Sequence, residues 1–196
     1  VTFADRLEPF RPVASLHHHS DHEVQVDRPH EEHAPTVDDI LIPMPSGWDD
    51  PLTGLEGPVF WQRVLIAENA RATKYGRPVT VCVVQVEGIE DIVVADGEAV
   101  GRRVLRDTAQ VLRREARASD YCARIDACRF GIILTETDEI TAINFVERVR
   151  EEAPRSVPEA RGMVRFSFGW ASARQRESPD SLVRRAERRM VAELAQ

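Results

Sequence analysis

Three kinds of side chain in this sequence could do chemistry: imidazoles near the start, thiols in the middle and guanidinium groups throughout. His17-His18-His19-Ser20-Asp21-His22, followed by His30 and His33, could chelate a borderline metal such as Zn²⁺ or Ni²⁺. The tract lacks the fixed spacing of a helical HxxxH site, so a solvated, mildly pH-sensitive arm is the plainer reading. Cys82, Cys122 and Cys128 are an odd set without CxxC spacing. They point to reduced thiols in a cytoplasmic protein, not to a disulfide framework or a zinc site. The cationic side chains are 25 Arg and one Lys. A guanidinium matches phosphate oxygens as a bidentate fork, so Arg102 or Arg129 could hold phosphate without metal. In so Arg-rich a chain the plainer reading of both is a solvated surface residue.

Charge is unevenly placed along the 196 residues. Residues 1–48 hold nine acidic and three basic side chains, a net of −6 out of the total of −7. A near-neutral domain behind an acidic tail does not gather positive charge on one face, which argues against a nucleic-acid partner. No apolar run approaches the roughly 20 residues that a membrane span needs. Asp5, Arg6, Glu8 and Arg11 interrupt any signal-peptide pattern at the start. The expected location is therefore the cytoplasm.

The elements that must position any site begin after residue 48. Residues 1–48 are rich in Pro, His and acidic groups and show no sustained period of 2 or 3.6, as expected of an extended or disordered arm. Val37–Met44 is its one apolar patch and could dock on the domain or on a partner. From residue 57 the pattern changes. Phe60, Val64, Leu65, Asn69 and Ala72 predict a helix closing near Tyr75-Gly76. Val79 to Val86 is almost continuously apolar and β-branched, as in a strand covered on both faces. An amphipathic helix is expected at about 97–117, then two strands, 121–125 and 129–135, turning at Asp126-Ala127-Cys128. A helix near 138–153, a strand near 163–173 and a helix near 179–194 complete an α+β order, αβαββαβα, with a mostly antiparallel sheet flanked by helices.

Two short stretches connect this order to a known family. Asp50-Pro51-Leu52-Thr53-Gly54-Leu55 resembles the DxLTGL segment that opens a GGDEF, or diguanylate cyclase, domain. Asp126-Ala127-Cys128-Arg129-Phe130 stands where that family carries Gly-Gly-Asp/Glu-Glu-Phe. Lys74-Tyr75-Gly76-Arg77-Pro78 and Phe166-Ser167-Phe168-Gly169-Trp170-Ala171 are similar to further family segments, in the right order. The resemblance implies residues 49–196 as a degenerate GGDEF domain with a nucleotidyl-cyclase-like fold, behind the arm 1–48.

Members of the family condense two GTP molecules using divalent metal. By the resemblance, the metal carboxylates fall on Gln85 and Cys128, the fourth motif letter on Arg129, and the guanine-reading positions on Val93 and Arg102. A late phosphate-binding lysine falls on Leu194. An amide and a soft thiol are poor Mg²⁺ ligands. Replacing a carboxylate by a guanidinium swings the local charge by two units, each worth roughly 4 kcal/mol at about 4 Å and an effective dielectric near 20. The resemblance also implies a product-binding site for cyclic di-GMP through an RxxD motif nine residues before the first Gly. Arg117-Ala118-Ser119-Asp120 fits that position, with Arg124 as an additional phosphate contact. The alternative is that Arg117 is a solvated helix end and Asp120 caps the turn.

The function expected is that of a non-catalytic signalling protein without a cofactor. It would be a cyclic di-GMP effector or adaptor acting through a protein partner, and able to pair as a homodimer around a shared dinucleotide dimer. The other reading is a ligand-independent scaffold that engages its partner through Trp48, Ile40 and Ile42.

Overall fold

The computed structural model describes residues 42–160 and 162–194. Its elements are α1 (Pro58–Tyr75), β1 (Val79–Glu87), α2 (Ile89–Asp96), α3 (Glu98–Glu115), β2 (Tyr121–Asp126), β3 (Arg129–Thr135), α4 (Glu139–Ser156), β4 (Arg165–Ser172) and α5 (Pro179–Leu194). The strands form one antiparallel sheet in the order β2-β3-β1-β4.

Strand β1 shows why its sequence reads as an almost continuous apolar run. Val79, Val81 and Val83 point to a core shared with Trp61, Leu65, Ala123, Ile133, Leu182, Ala186 and Met190, that is, under α1 and α5. Cys82, Val84 and Val86 point the other way, to Ile92, Leu105, Leu112, Phe145, Val149 and Phe168. Side chains alternate across a strand, so burial of both faces favours apolar residues at nearly every position, and the buried Thr80 is satisfied by donating to Thr137 O. On β4, Gly169 lets α5 approach backbone to backbone: a Cβ there would lie 1.9 Å from the Ala186 carbonyl oxygen.

The α+β class and the antiparallel sheet agree with expectation, and one helix does not. Helix α2 was not foreseen between β1 and the long helix. It is two turns long, rich in β-branched Ile and Val, and bounded by Gly88 and Gly97, so it carries little helical propensity of its own. Burial of Ile89 and Ile92 against α3 holds it in place. Helix α4 also runs past Pro154 to Ser156, where the expected stop was residue 153.

Of the apolar patch 37–44, Ile42–Met44 lie within the described residues, and Ile40 and the histidine tract fall outside them. No helix among the described residues is long and apolar enough to cross a membrane.

Candidate functional site

The β2–β3 hairpin is joined to the segment before α1 through one buried ion pair. Asp50 opens a tight loop in which its carbonyl accepts from Gly54 N–H at 2.8 Å and its own N–H donates to Leu55 O at 2.8 Å. Gly54 sits at φ +70°, a left-handed conformation that costs glycine little. Thr53 N–H and Oγ1 donate to Asp50 Oδ2 at 3.0 and 2.5 Å. Glu56 then bridges to Ala123 of β2, so the loop is stitched to the sheet.

Arg124 emerges from β2 into this loop. Its Nε and Nη2 donate to the two Asp50 oxygens at 2.8 and 2.9 Å. Nη1 donates to Ala127 O at 2.9 Å and Nη2 to Pro43 O at 2.7 Å. Both side chains are 1 % exposed. Burial pushes the Asp50 carboxyl up, but bonds from Arg124 and Thr53 and the Arg124 charge outweigh it and hold the group below its ordinary value. The expectation that Arg124 contacts a surface ligand is therefore corrected: its fork is spent inside the protein on Asp50, and none of it faces solvent.

The remaining motif residues divide by depth. Phe130 is fully buried core. Asp126 folds back to accept from Ala127 N–H at 2.7 Å, and Cys128 O accepts from Val86 N–H at 2.9 Å. Asp126, Ala127, Cys128 and Arg129 line one side of an open cleft of about 370 Å³, facing Gln85, Glu87 and the start of α2. Arg129 lies opposite Gln85 in the β1–β3 register, and its Nε donates to Gln85 Oε1 at 3.0 Å. Its Nη1 also lies 3.6 Å from Glu187 and 3.9 Å from Asp126.

Burial raises the Cys128 thiol to about 11, so it is neutral near pH 7. The cleft still holds carboxylates: Glu87 is hydrogen-bonded by Ser167 at 2.5 Å, and Glu90 and Asp91 are exposed. At the two positions where the family's metal carboxylates would stand, however, the donors are an amide oxygen already capped by a guanidinium and a neutral thiol. That pair does not fit Mg²⁺. Val93 is half-buried on α2, Arg102 pairs with Glu98, and Leu194 is exposed at the end of α5.

Arg117 and Asp120 lie in the turn between α3 and β2. Asp120 Oδ2 accepts from Arg117 N–H at 2.9 Å, and Oδ1 accepts from Thr135 N–H at 3.0 Å. Asp120 thus braces the turn and ties it to β3. The Arg117 side chain is exposed. Two shallow clefts, of about 200 and 190 Å³, meet at these residues, one bounded by Glu56 and Arg113, the other by Glu115, Asn144 and Arg148. The fold therefore brings Arg117 and Asp120 together and removes Arg124 from them. Arg113 and Glu56 were not anticipated beside Arg117. Helical spacing could have found Arg113, one turn before Arg117, whereas Glu56 arrives from a distant loop. Arg113 also reaches that loop, donating to Gly54 O at 2.6 Å.

A four-stranded antiparallel sheet flanked on both faces by helices, with this hairpin facing the end of β1, defines a nucleotidyl-cyclase-type α+β domain. The chain belongs to the GGDEF family: the profile described as "Diguanylate cyclase, GGDEF domain" matches residues 48–196. Among curated proteins it is similar to the response regulator PleD of Caulobacter vibrioides, 31% identical over 144 residues, covering 70% of this chain and 32% of PleD. It is also similar to the diguanylate cyclase DosC of Escherichia coli, 30% identical over 107 residues, covering 55% of this chain and 23% of DosC. The matches thus span about a quarter to a third of those relatives. Among solved structures, the GGDEF domain of DgcB from Caulobacter crescentus in complex with c-di-GMP superposes with a TM-score of 0.71 at 24% identity. That match covers 76% of this chain and 91% of that one and speaks to the fold. The diguanylate cyclase SiaD of Pseudomonas aeruginosa, in complex with its activator SiaC, superposes with a TM-score of 0.67 at 26% identity, covering 75% and 58%.

Proposed function

We propose that this domain is a non-catalytic GGDEF protein that binds cyclic di-GMP through Arg117 and Asp120 and passes the signal to a protein partner. The observation that carries the reading is the Arg129–Gln85 hydrogen bond, a cation and an amide where cyclase chemistry needs carboxylates. Arg117 supports the ligand half: an exposed fork at the junction of two clefts can take guanine O6/N7 or a phosphate. Asp120 retains lone pairs beyond its two backbone bonds and can accept from guanine N–H. A GGDEF neighbour crystallised with c-di-GMP and another with an activator protein are consistent with both halves. Two domains sharing a dinucleotide dimer between such sites would form a homodimer.

A second reading, a ligand-independent scaffold, draws on Trp48. It is 49% exposed, with Phe60 edge-on at 6.0 Å and the Arg63 guanidinium 5.7 Å from its ring. Ile42, by contrast, packs onto the domain.

The test is calorimetric titration of cyclic di-GMP into the wild type and Arg117→Ala, with a parallel assay for GTP turnover in Mg²⁺. The expected result is micromolar or tighter binding that weakens roughly ten- to a hundredfold in the variant, with no product from GTP. Absence of heat at saturating ligand favours the scaffold; metal-dependent turnover overturns the non-catalytic assignment.

A further inference from the structure

The segment Ile42–Pro45 carries an inference independent of ligand binding. Helices α2 and α3 cross at Gly101, which is buried. A Cβ at that position would meet Val93 Cγ2 at 2.7 Å, Ile89 Cγ2 at 3.6 Å and Ile42 Cδ1 at 3.7 Å. The glycine lets Val93 of α2 approach α3 closely, and Ile42 lies beside that contact at ordinary van der Waals distance. Pro43 O is held by Arg124 Nη2, Pro45 is buried, and Met44 is exposed.

Residues 42–46 belong to no strand or helix. Backbone bonding to the domain begins only at Gly47 and Trp48, whose carbonyls accept from Val59 and Gly57. The hold on the segment is thus the seating of Ile42, the burial of Pro45 and one hydrogen bond, and Arg124 keeps both Asp50 oxygens when that bond is given up.

We propose that Ile42–Pro45 is an intramolecular strap, a releasable cover over the α2–α3 crossing, anchored at Gly47 and Trp48, where backbone bonding to the domain begins. The crossing beneath it is apolar, lined by Val93, Val100 and Ile89 around Gly101. An aliphatic side chain suits that surface, and a polar heterocycle would find few partners there. While the strap is seated, the crossing is closed. Once it lifts, an apolar face opens, and the hairpin turn is linked to the event because Arg124 holds Pro43 O and Ala127 O with the same guanidinium.

The test uses the full chain and Ile42→Asp, followed by hydrogen exchange and by binding of an apolar dye. Burial of one isoleucine predicts exchange about ten- to a hundredfold faster in α2 and the first turns of α3, with smaller acceleration at 126–128 and none in α5. Dye binding should rise in the same variant. A synthetic peptide of residues 37–46, added in trans, should restore protection and expel the dye, whereas the same peptide carrying Ile42→Asp should not. Unchanged exchange over α2 and α3 overturns the proposal. So does uniform acceleration that includes α5 and is not rescued by the peptide, since that would be loss of the fold and not of a cover. Cyclic di-GMP takes no part in these readouts, so their failure is distinct from failure of the effector reading.

Discussion

Arg124 and Arg129 stand five residues apart on one hairpin and do opposite things. Arg124 points into the protein, where each of its terminal nitrogens and Nε has a fixed oxygen partner: the two oxygens of Asp50 and the carbonyls of Ala127 and Pro43. Arg129 points into an open cleft, is 31% exposed, and has one good hydrogen bond and two looser ion pairs. The same side chain thus serves as an internal joint in one place and as an electrostatic filler in the other. A buried guanidinium has to be matched completely, because any unpaired group would bear the full cost of desolvation. A partly solvated one can be matched loosely and still be tolerated. The two motifs of the family meet at this hairpin. The one that supplies Asp50 is intact and structural; the other has kept its buried Phe130 and changed the residues that face the cleft.

The sharpest way to break the comparison is Arg124→Met, which removes the cation and leaves the Asp50 carboxylate buried without its partner. Loss of one member of a buried pair typically costs about 3–5 kcal/mol. The variant should melt far below the wild type or fail to fold, as read by thermal or chemical denaturation. The double variant Asp50→Leu with Arg124→Met should recover part of that loss, because it leaves no unpaired charge. Wild-type stability in Arg124→Met would mean that the pair does not join the hairpin to the loop before α1.

A smaller effect follows from the Asp50 carboxyl, whose pKa in the folded protein lies below its ordinary value of 3.8. A depressed folded value means that the stabilisation is complete above the unfolded value and drains away as pH falls through the folded one. The difference in stability between the wild type and Asp50→Asn should therefore be constant from neutral pH down to about 5 and shrink below about 4. Denaturation curves taken at stepwise lower pH measure it. A gap that widens on acidification would have the wrong sign for a carboxylate stabilised by Arg124.

Much of this arrangement is legible in the sequence. The alternation that buries both faces of β1 shows as a continuous apolar run, and the long helices carry their own period. Helix α2 was not legible, because eight residues with β-branched side chains between two glycines become helical only through contact with α3. For the site, the sequence position of Asp126–Arg129 and of the Arg117/Asp120 turn could be read from motif spacing. The depth of Arg124 could not. Its neighbours Ala123 and Ile125 give no sign of which face turns inward, and its partner Asp50 lies 74 residues away. Long-range pairing of this kind leaves no local period, and an arginine between a turn motif and a hairpin reads naturally as a surface group. The docking of Ile42 has the same character, since the surface that receives it is built by α2 and α3, about fifty residues further along the chain.

The mildest test is on the loosely matched side of the comparison. Arg129→Ala removes one hydrogen bond and two partly solvated ion pairs, interactions worth about 0.5–1.5 and 0–1 kcal/mol respectively, and leaves a space that water can enter. Gln85, only half-buried, can be solvated in its place. The expected change in unfolding free energy is within about 1 kcal/mol, several times less than for Arg124→Met, although the two residues share a hairpin and a side-chain type. A loss comparable to that of Arg124→Met would mean that the cleft arginine is also an internal joint. The small loss expected would leave the cleft free to vary while the buried pair holds the hairpin in place.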